Sequence, residues 1–477
     1  MVNLYVENCD IMKIRRITLS LALGLAALTA GAQSLAPRFN YGDRVAFIGD
    51  SITHGGHYHS YIWLFYMTRF PDMPIWIDNC GVGGDTSKEI LARLQMDVLD
   101  RNPDYVTLTF GMNDTGYFDV FNKENTDSLA ADRIAKSAQA YSKIVEELKE
   151  YGKNAKVVMI GGSPYDETSR FNDAALHGKN AAIGKIISMQ KADAADNGWG
   201  FVDFNAPMLK IAQKEQQADS TYSFCPADRI HPDKDGQMVM AYLFLKAQGL
   251  AGSKVAEIGI DAKRGKVKVM DNCEISGLSR ADGAVSFDYL AKALPYPCDS
   301  ISEHGWGNIH SQRDALKLVP FTEEFNQEIL KVSGLNAGNY LLSIDGQPLR
   351  RYSSSELAAG VNMAEITDSP QYRQASSIMY LNEERLEVEK RLREYVWMEF
   401  NVFKDPAQRF ADDWQSIESV NERAKDDWFV SASNYWYKKS YYPQIREVWK
   451  DYMEKIVARI YSMNKPVVHK VRLDPVD

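Results

Sequence analysis

The chain is poor in cysteine, in histidine and in surplus positive charge, with five cysteines, eight histidines and a formal net charge of −9 in 477 residues. No Cys-x-x-Cys pair or His-rich cluster marks a metal site. Without a surplus of clustered Lys and Arg, the chain lacks what phosphate-backbone binding requires, which excludes a nucleic-acid partner. There is no block of like charge long enough to act as a binding tail. Gly-x-x-x-x-Gly-Lys-Ser/Thr is absent, and no Gly-x-Gly-x-x-Gly follows the first strand-like run, so nucleotide phosphates are poorly served. The Gly-x-Ser-x-Gly elbow of the α/β-hydrolases is also missing. No long apolar segment resembles a lipid-docking lid, and neither internal repeats nor low-complexity linkers occur.

What is present is a globular composition, 45% hydrophobic and 25% charged, in a chain long enough for a large core and more than one domain. The N-terminal stretch MKIRRITLSLALGLAALTAGAQ joins a basic start (Lys13, Arg15, Arg16) to an apolar run and the small residues Ala30-Gly31-Ala32. This is a signal-peptide pattern, too short for a membrane span. It predicts export to a periplasm or beyond, with residues 1–32 removed and Met12 as the true start. No cysteine follows the small residues, so no lipid anchor is expected. Removal leaves Cys80, Cys225, Cys273 and Cys298. Cys273 with Cys298 is the favoured disulfide, because both lie in one β-like region; buried free thiols are the alternative.

Residues 33–252 alternate apolar strand-like runs with amphipathic helical ones. The strands are RVAFIGD, IWIDNCG, DYVTLTFG, KVVMIGG and WGFVDF; helices are expected over Ser87–Leu99, Ala131–Tyr151, Asn172–Asn197 and Gly236–Gln248. The pattern predicts an α/β fold, a flavodoxin-like three-layer arrangement around a parallel sheet covered on both faces. Sites on such sheets collect at the carboxyl ends of the strands. Residues 253–349 are rich in short alternating runs such as KVKVMD and NYLLSIDG, which predict a β-rich accessory module. Residues 350–477 read as mainly helical.

Four segments at strand ends or in late loops carry the chemistry: GDSIT (Gly49–Thr53), GVGGDTS (Gly81–Ser87), GMND (Gly111–Asp114) and DRIHP (Asp228–Pro232). Alone, Ser51 reads equally as a helix cap, His231 as a loop histidine, and Gly84 and Asn113 as turn formers. Together and in this order, the four blocks resemble those of the SGNH (GDSL-type) ester hydrolases, over a little under half of the chain. The resemblance implies Ser51 as nucleophile, His231 as base and Asp228 as the group orienting it. It also implies an oxyanion hole made of the Ser51 and Gly84 N–H groups and the Asn113 amide, with no metal or other cofactor. Acyl transfer needs these components: a nucleophile, a base, an orienting group and donors for the developing oxyanion.

His54, close behind Ser51, is a rival base for which a structural or substrate-contacting role is expected instead. Asp50, Asp85 and Asp114 are expected to make local hydrogen bonds around the turns. The aromatic stretch NYWYKKSYYP (Asn434–Pro443) is core by default and a sugar-stacking surface by alternative. HGGHYHS (His54–Ser60) has a metal-like composition without a carboxylate or cysteine set. The expected function is an exported serine esterase removing O-acetyl or similar acyl groups from carbohydrate or another small ester. A lysophospholipase or thioesterase is the enzymatic alternative, and a non-catalytic carbohydrate-binding protein is the alternative from another class. No stable membrane insertion is expected, and the sequence does not give the oligomeric state.

Overall fold

A computed structural model describes residues 36–171, 175–302 and 309–477. The expected signal segment lies outside the described residues.

Five apolar runs form one sheet: β1 (Arg44–Gly49), β2 (Trp76–Gly81), β3 (Tyr105–Leu108), β4 (Lys156–Gly161) and β5 (Gly200–Asp203). Every pairing is parallel, in the order β2-β1-β3-β4-β5. The strands are buried over nearly their whole length because helices cover both faces, and so they read as continuous rather than alternating apolar runs. The strand order reverses between β1 and β3. The turns after these two strands, Gly49–Ser51 and Phe110–Asn113, therefore flank the crevice where such sheets place ligands.

Of the helices expected from periodicity, three form over Thr126–Tyr151, Lys179–Asn197 and Lys234–Ala247; the second begins later than expected, and its expected start at Asn172 lies outside the described residues. The one expected over Ser87–Leu99 is α-helical only to Arg93, then widens into a π turn at Leu94–Val98. That turn carries Asp97, whose carboxylate meets Arg93, Arg101 and Arg393.

The β-rich module contains two sheets. One orders β13 (Val361–Asn362), β10 (Glu328–Ser333), β6 (Ala256–Asp261) and β7 (Lys266–Asp271); the other orders β12 (Gln347–Ser353), β11 (Asn339–Ile344), β14 (His469–Val476), β9 (Ala284–Ala291) and β8 (Cys273–Ala281). Val332, Phe287, Leu342 and Leu473 are among the residues packed in their shared core. After the helical region, the chain returns to insert β14 between β11 and β9. Alternation of buried Val471 and Leu473 with exposed Lys470 and Arg472 drives this, since only one face of β14 reaches the core.

The helical region comprises Pro370–Val402, Trp414–Arg423, Trp428–Ser440 and Pro443–Met463. The 33-residue first helix starts cleanly, with Ser369 accepting from the Tyr372 N–H and Pro370 in the first turn. It lies on the α/β domain: Asn382 donates to the Ser60 hydroxyl at 2.8 Å, and the Arg385 guanidinium sits 4.5 Å from the Trp63 ring centroid.

The four cysteines among the described residues are buried free thiols. The favoured Cys273–Cys298 disulfide does not form, because Cys273 belongs to the core of the β-rich module and Cys298 to that of the α/β domain.

Candidate active site

Ser51 opens a one-turn helix, Ser51–His54, immediately after β1; Asp50 caps it by accepting from the Ile52 N–H at 2.9 Å. Gly49 is needed for room: a Cβ there would stand 2.1 Å from Thr53 Oγ1, so the turn lies flat against the strand end. The Asp50 carboxyl is pushed up to about 6 by burial, opposed by the Ile52 N–H and the charge of His231.

His231 approaches from the loop before the Lys234–Ala247 helix. Its Nε2 accepts from the Ser51 hydroxyl at 2.7 Å, and its Nδ1 faces Asp228 Oδ2 at 2.5 Å. The other carboxylate oxygen, Asp228 Oδ1, accepts from the Ile230 and His231 backbone N–H groups, both at 2.9 Å. Asp228 thus fixes both the ring and the backbone beneath it. Between them, Arg229 adopts a left-handed φ of 68° and buries its guanidinium, which donates to the Asp166 and Ser169 carbonyls. Burial drives the His231 pKa down, but the Asp228 hydrogen bond and charge, helped by Asp50, lift it above its ordinary value. Burial raises the Asp228 pKa, and the His231 contact together with the two N–H groups outweighs this, so the carboxylate stays ionised to lower pH than usual. A hydroxyl, imidazole and carboxylate in line can pass a proton from the first to the second while the third stabilises the imidazolium.

Asn113 stands on the turn after β3. Its Nδ2 donates to the Asp85 carbonyl at 2.9 Å and its Oδ1 accepts from the Tyr117 hydroxyl at 2.8 Å, which fixes the amide plane and leaves one N–H to spare. Asp114 secures the turn by accepting from the Gly111 and Ser87 N–H groups and the Ser137 hydroxyl. Beneath it lies Lys179, fully buried, whose ammonium donates to Met112 O, Thr115 Oγ1 and Gly116 O and stands 3.9 Å from the Tyr117 ring centroid. Burial pulls that amine down to about 7, with Asp119 and Asp50 among the charges resisting it. Gly84 has φ 84°, a conformation that side chains rarely adopt, and is exposed. Asp85 meets Arg93 at 2.6 Å; burial raises its carboxyl to about 7 against the pull of that arginine.

His54 points away from Ser51. Its Nδ1 accepts from the Gly83 N–H at 3.2 Å, and burial, reinforced by the charges of Arg393 and Lys390, pushes its pKa down to about 3. It is therefore neutral and structural in this arrangement. His57 stacks on Tyr61 and His59 Nε2 faces Thr53 O, so the HGGHYHS histidines diverge. Among the described residues, no group of three or more His, Cys, Asp or Glu side chains could hold a metal ion. The aromatic stretch divides: Tyr437 is buried and donates to Glu399 at 2.8 Å, while Tyr435 and Tyr442 are exposed and Lys439 covers the Tyr435 ring.

Tyr117, Lys179, Arg393 and Trp397 all brace this site and were not expected from the sequence. For Tyr117 a signal existed, its spacing of four residues from Asn113. For the others none did, since neither the burial of Lys179 and Arg393 nor the docking of Trp397 on the distant Gly83 carbonyl is written in the neighbouring residues.

Residues 47–239 match the model of the GDSL-like lipase/acylhydrolase family, and residues 376–465 match that of the diltiazem deacetylase C-terminal helical domain. A gut microbial diltiazem-metabolizing enzyme of known structure is 44% identical, with 94% of this chain and 100% of that one covered, at a TM-score of 0.90. The chain belongs to the GDSL-like lipase/acylhydrolase family. Within the family, it is 26% identical to an acetylxylan esterase from Geobacillus stearothermophilus over 228 residues, 44% of this chain and 94% of that protein. An uncharacterized lipoprotein of Bacillus subtilis is 36% identical over 96 residues, 19% of this chain and 37% of that protein. The esterase match covers less than half of the chain, whereas the match to the diltiazem-metabolizing enzyme covers nearly all of it.

Proposed function

We propose that this acylhydrolase is a serine acetylesterase working through an acyl-enzyme. The observation that carries the reading is the unbroken Ser51–His231–Asp228 chain at the crevice of the sheet. As Ser51 Oγ attacks the ester carbonyl, its proton passes to His231 Nε2, and the oxyanion is taken by the N–H groups of Ser51 and Gly84 and the free N–H of Asn113. Collapse expels the alcohol, which receives the proton from His231. Water, activated by the same imidazole, then releases acetate and restores Ser51. Asp228 remains a carboxylate throughout and stabilises the imidazolium.

Acetyl as the acyl group is supported by what the named relatives share, a deacetylase domain and an acetylxylan esterase. For the alcohol two readings stand. O-acetylated carbohydrate fits the N-terminal export pattern, the lipoprotein relative and the esterase; a compact drug-like ester fits the relative that spans the whole chain. Release of acetate from acetylated xylo-oligosaccharides, compared with deacetylation of diltiazem, decides between them. Hydrolysis of p-nitrophenyl acetate tests the mechanism: Ser51→Ala is expected to lower kcat by about 10⁵-fold or more. Equal rates would remove the serine mechanism and favour a non-catalytic binding protein. A preference for p-nitrophenyl octanoate over the acetate would overturn the acetyl assignment in favour of a lipase-like one.

A further inference from the structure

The long helix Pro370–Val402 does more than cover the α/β domain. Among the described residues, β2 is an edge strand, paired on one side only, to β1. Its open edge presents backbone groups that need partners, and the helix supplies them at regular spacing. Glu389 Oε1 accepts from the Asn79 N–H at 2.8 Å, Arg393 Nε donates to the Gly81 carbonyl at 3.1 Å, and Trp397 Nε1 donates to the Gly83 carbonyl at 2.9 Å. Positions 389, 393 and 397 share one helix face, four residues or about 6 Å apart. Asn79 and Gly81 share one strand edge, two residues or about 6.6 Å apart, and Gly83 follows two residues on, in the turn after the strand. The two repeats nearly coincide, so one helix face can follow the strand past its end and into the loop beyond. Arg393 is anchored meanwhile by Asp97, with both guanidinium contacts at 2.8 Å.

The third contact reaches the site. The Gly83 carbonyl and the Gly84 N–H belong to a single peptide unit, planar and trans, so fixing the carbonyl fixes the direction of the N–H. A hydrogen bond to the carbonyl also polarises that N–H as a donor. The preceding peptide is held independently, by the Gly83 N–H donating to His54 Nδ1. Gly84, with its left-handed φ and nothing within 4 Å of a built Cβ, offers no side chain of its own to hold the plane.

We infer that Trp397 is a positioning residue of the oxyanion hole, through which the C-terminal helical region completes the site of the α/β domain. The inference rests on the serine-esterase reading above. Trp397→Phe keeps an aromatic ring, smaller than the indole, and removes the donor. On p-nitrophenyl acetate its kcat is expected to fall about tenfold, less than the 10²–10³-fold typical for outright loss of a donor, with KM within about twofold. Its melting temperature should fall by only a few degrees, since an aromatic ring remains packed there. Trp397→His restores a ring N–H and is expected to recover part of the lost kcat. An unchanged kcat in Trp397→Phe, a change confined to KM, or a His variant no better than the Phe variant overturns the role. Ser51→Ala, assayed alongside, keeps the two ideas separate. If Ser51→Ala is inactive while Trp397→Phe equals the parent, only the Trp397 role falls; if Ser51→Ala is as active as the parent, the esterase reading falls first.

Discussion

The Asp228–His231 loop and the Gly81–Asp85 loop flank the same serine turn, yet they are held by different means. The first is secured largely from within: Asp228 grips its own loop through the Ile230 and His231 N–H groups and the imidazole three residues on. The second is secured from elsewhere, by His54 on the Gly83 N–H, Asn113 on the Asp85 carbonyl, Arg93 on the Asp85 carboxylate, and Arg393 and Trp397 on the Gly81 and Gly83 carbonyls. A base, the role proposed for His231, must hold one hydrogen bond while it changes charge, and a short turn around one carboxylate suffices for that. An oxyanion donor, the role proposed for Gly84, must keep a backbone plane fixed against a glycine's freedom. Here that takes contacts from several elements, one of them more than 300 residues away in sequence.

Three measurements would break or sharpen this contrast. The largest effect is expected for Asp228→Asn, which keeps the side chain's shape but loses the charge that orients and stabilises the imidazolium. A fall in kcat of about 10⁴-fold is expected, and one below tenfold would show that the loop does not need its carboxylate. Next comes Asn113→Ala, expected to lower kcat by about 10²–10³-fold with little change in KM. A loss appearing in KM alone would move Asn113 from the oxyanion to ground-state binding. The smallest concerns pH. His231 must be neutral to act as base, and Asp228 and Asp50 raise its pKa against burial, so the acid limb of kcat/KM should lie above the ordinary histidine value. Asp50→Asn removes one of the raising charges and should move that limb to lower pH. A limb that stays in place would separate Asp50 from the base.

Much of the catalytic domain was legible because its signals are local. Apolar runs such as RVAFIG fill a strand buried on both faces, and each chemical block follows a strand or a late turn. His54, the rival base that sequence reasoning set aside in favour of a structural or substrate-contacting role, faces Gly83, because the Ser51–His54 helix rotates it there. Gly49 has its place through lack of room beside Thr53, which no turn rule reveals. The disulfide expectation failed because similar texture in sequence did not mean a shared core.

By itself, the sequence determined the sheet and the strand-end placement of Ser51 and Asn113, through periodicities of a few residues, while the pairing of Asp228 with His231 was legible only through the resemblance of the DRIHP block. Only the tertiary structure decided how the Gly81–Asp85 loop is braced, which strands β14 joins, and why a lysine lies under the GMND turn. Those arrangements depend on backbone groups left open at a sheet edge or in a turn, and any distant donor or acceptor of the right reach can satisfy them. Which one does so is settled when the helix docks with its four-residue repeat along the two-residue repeat of β2.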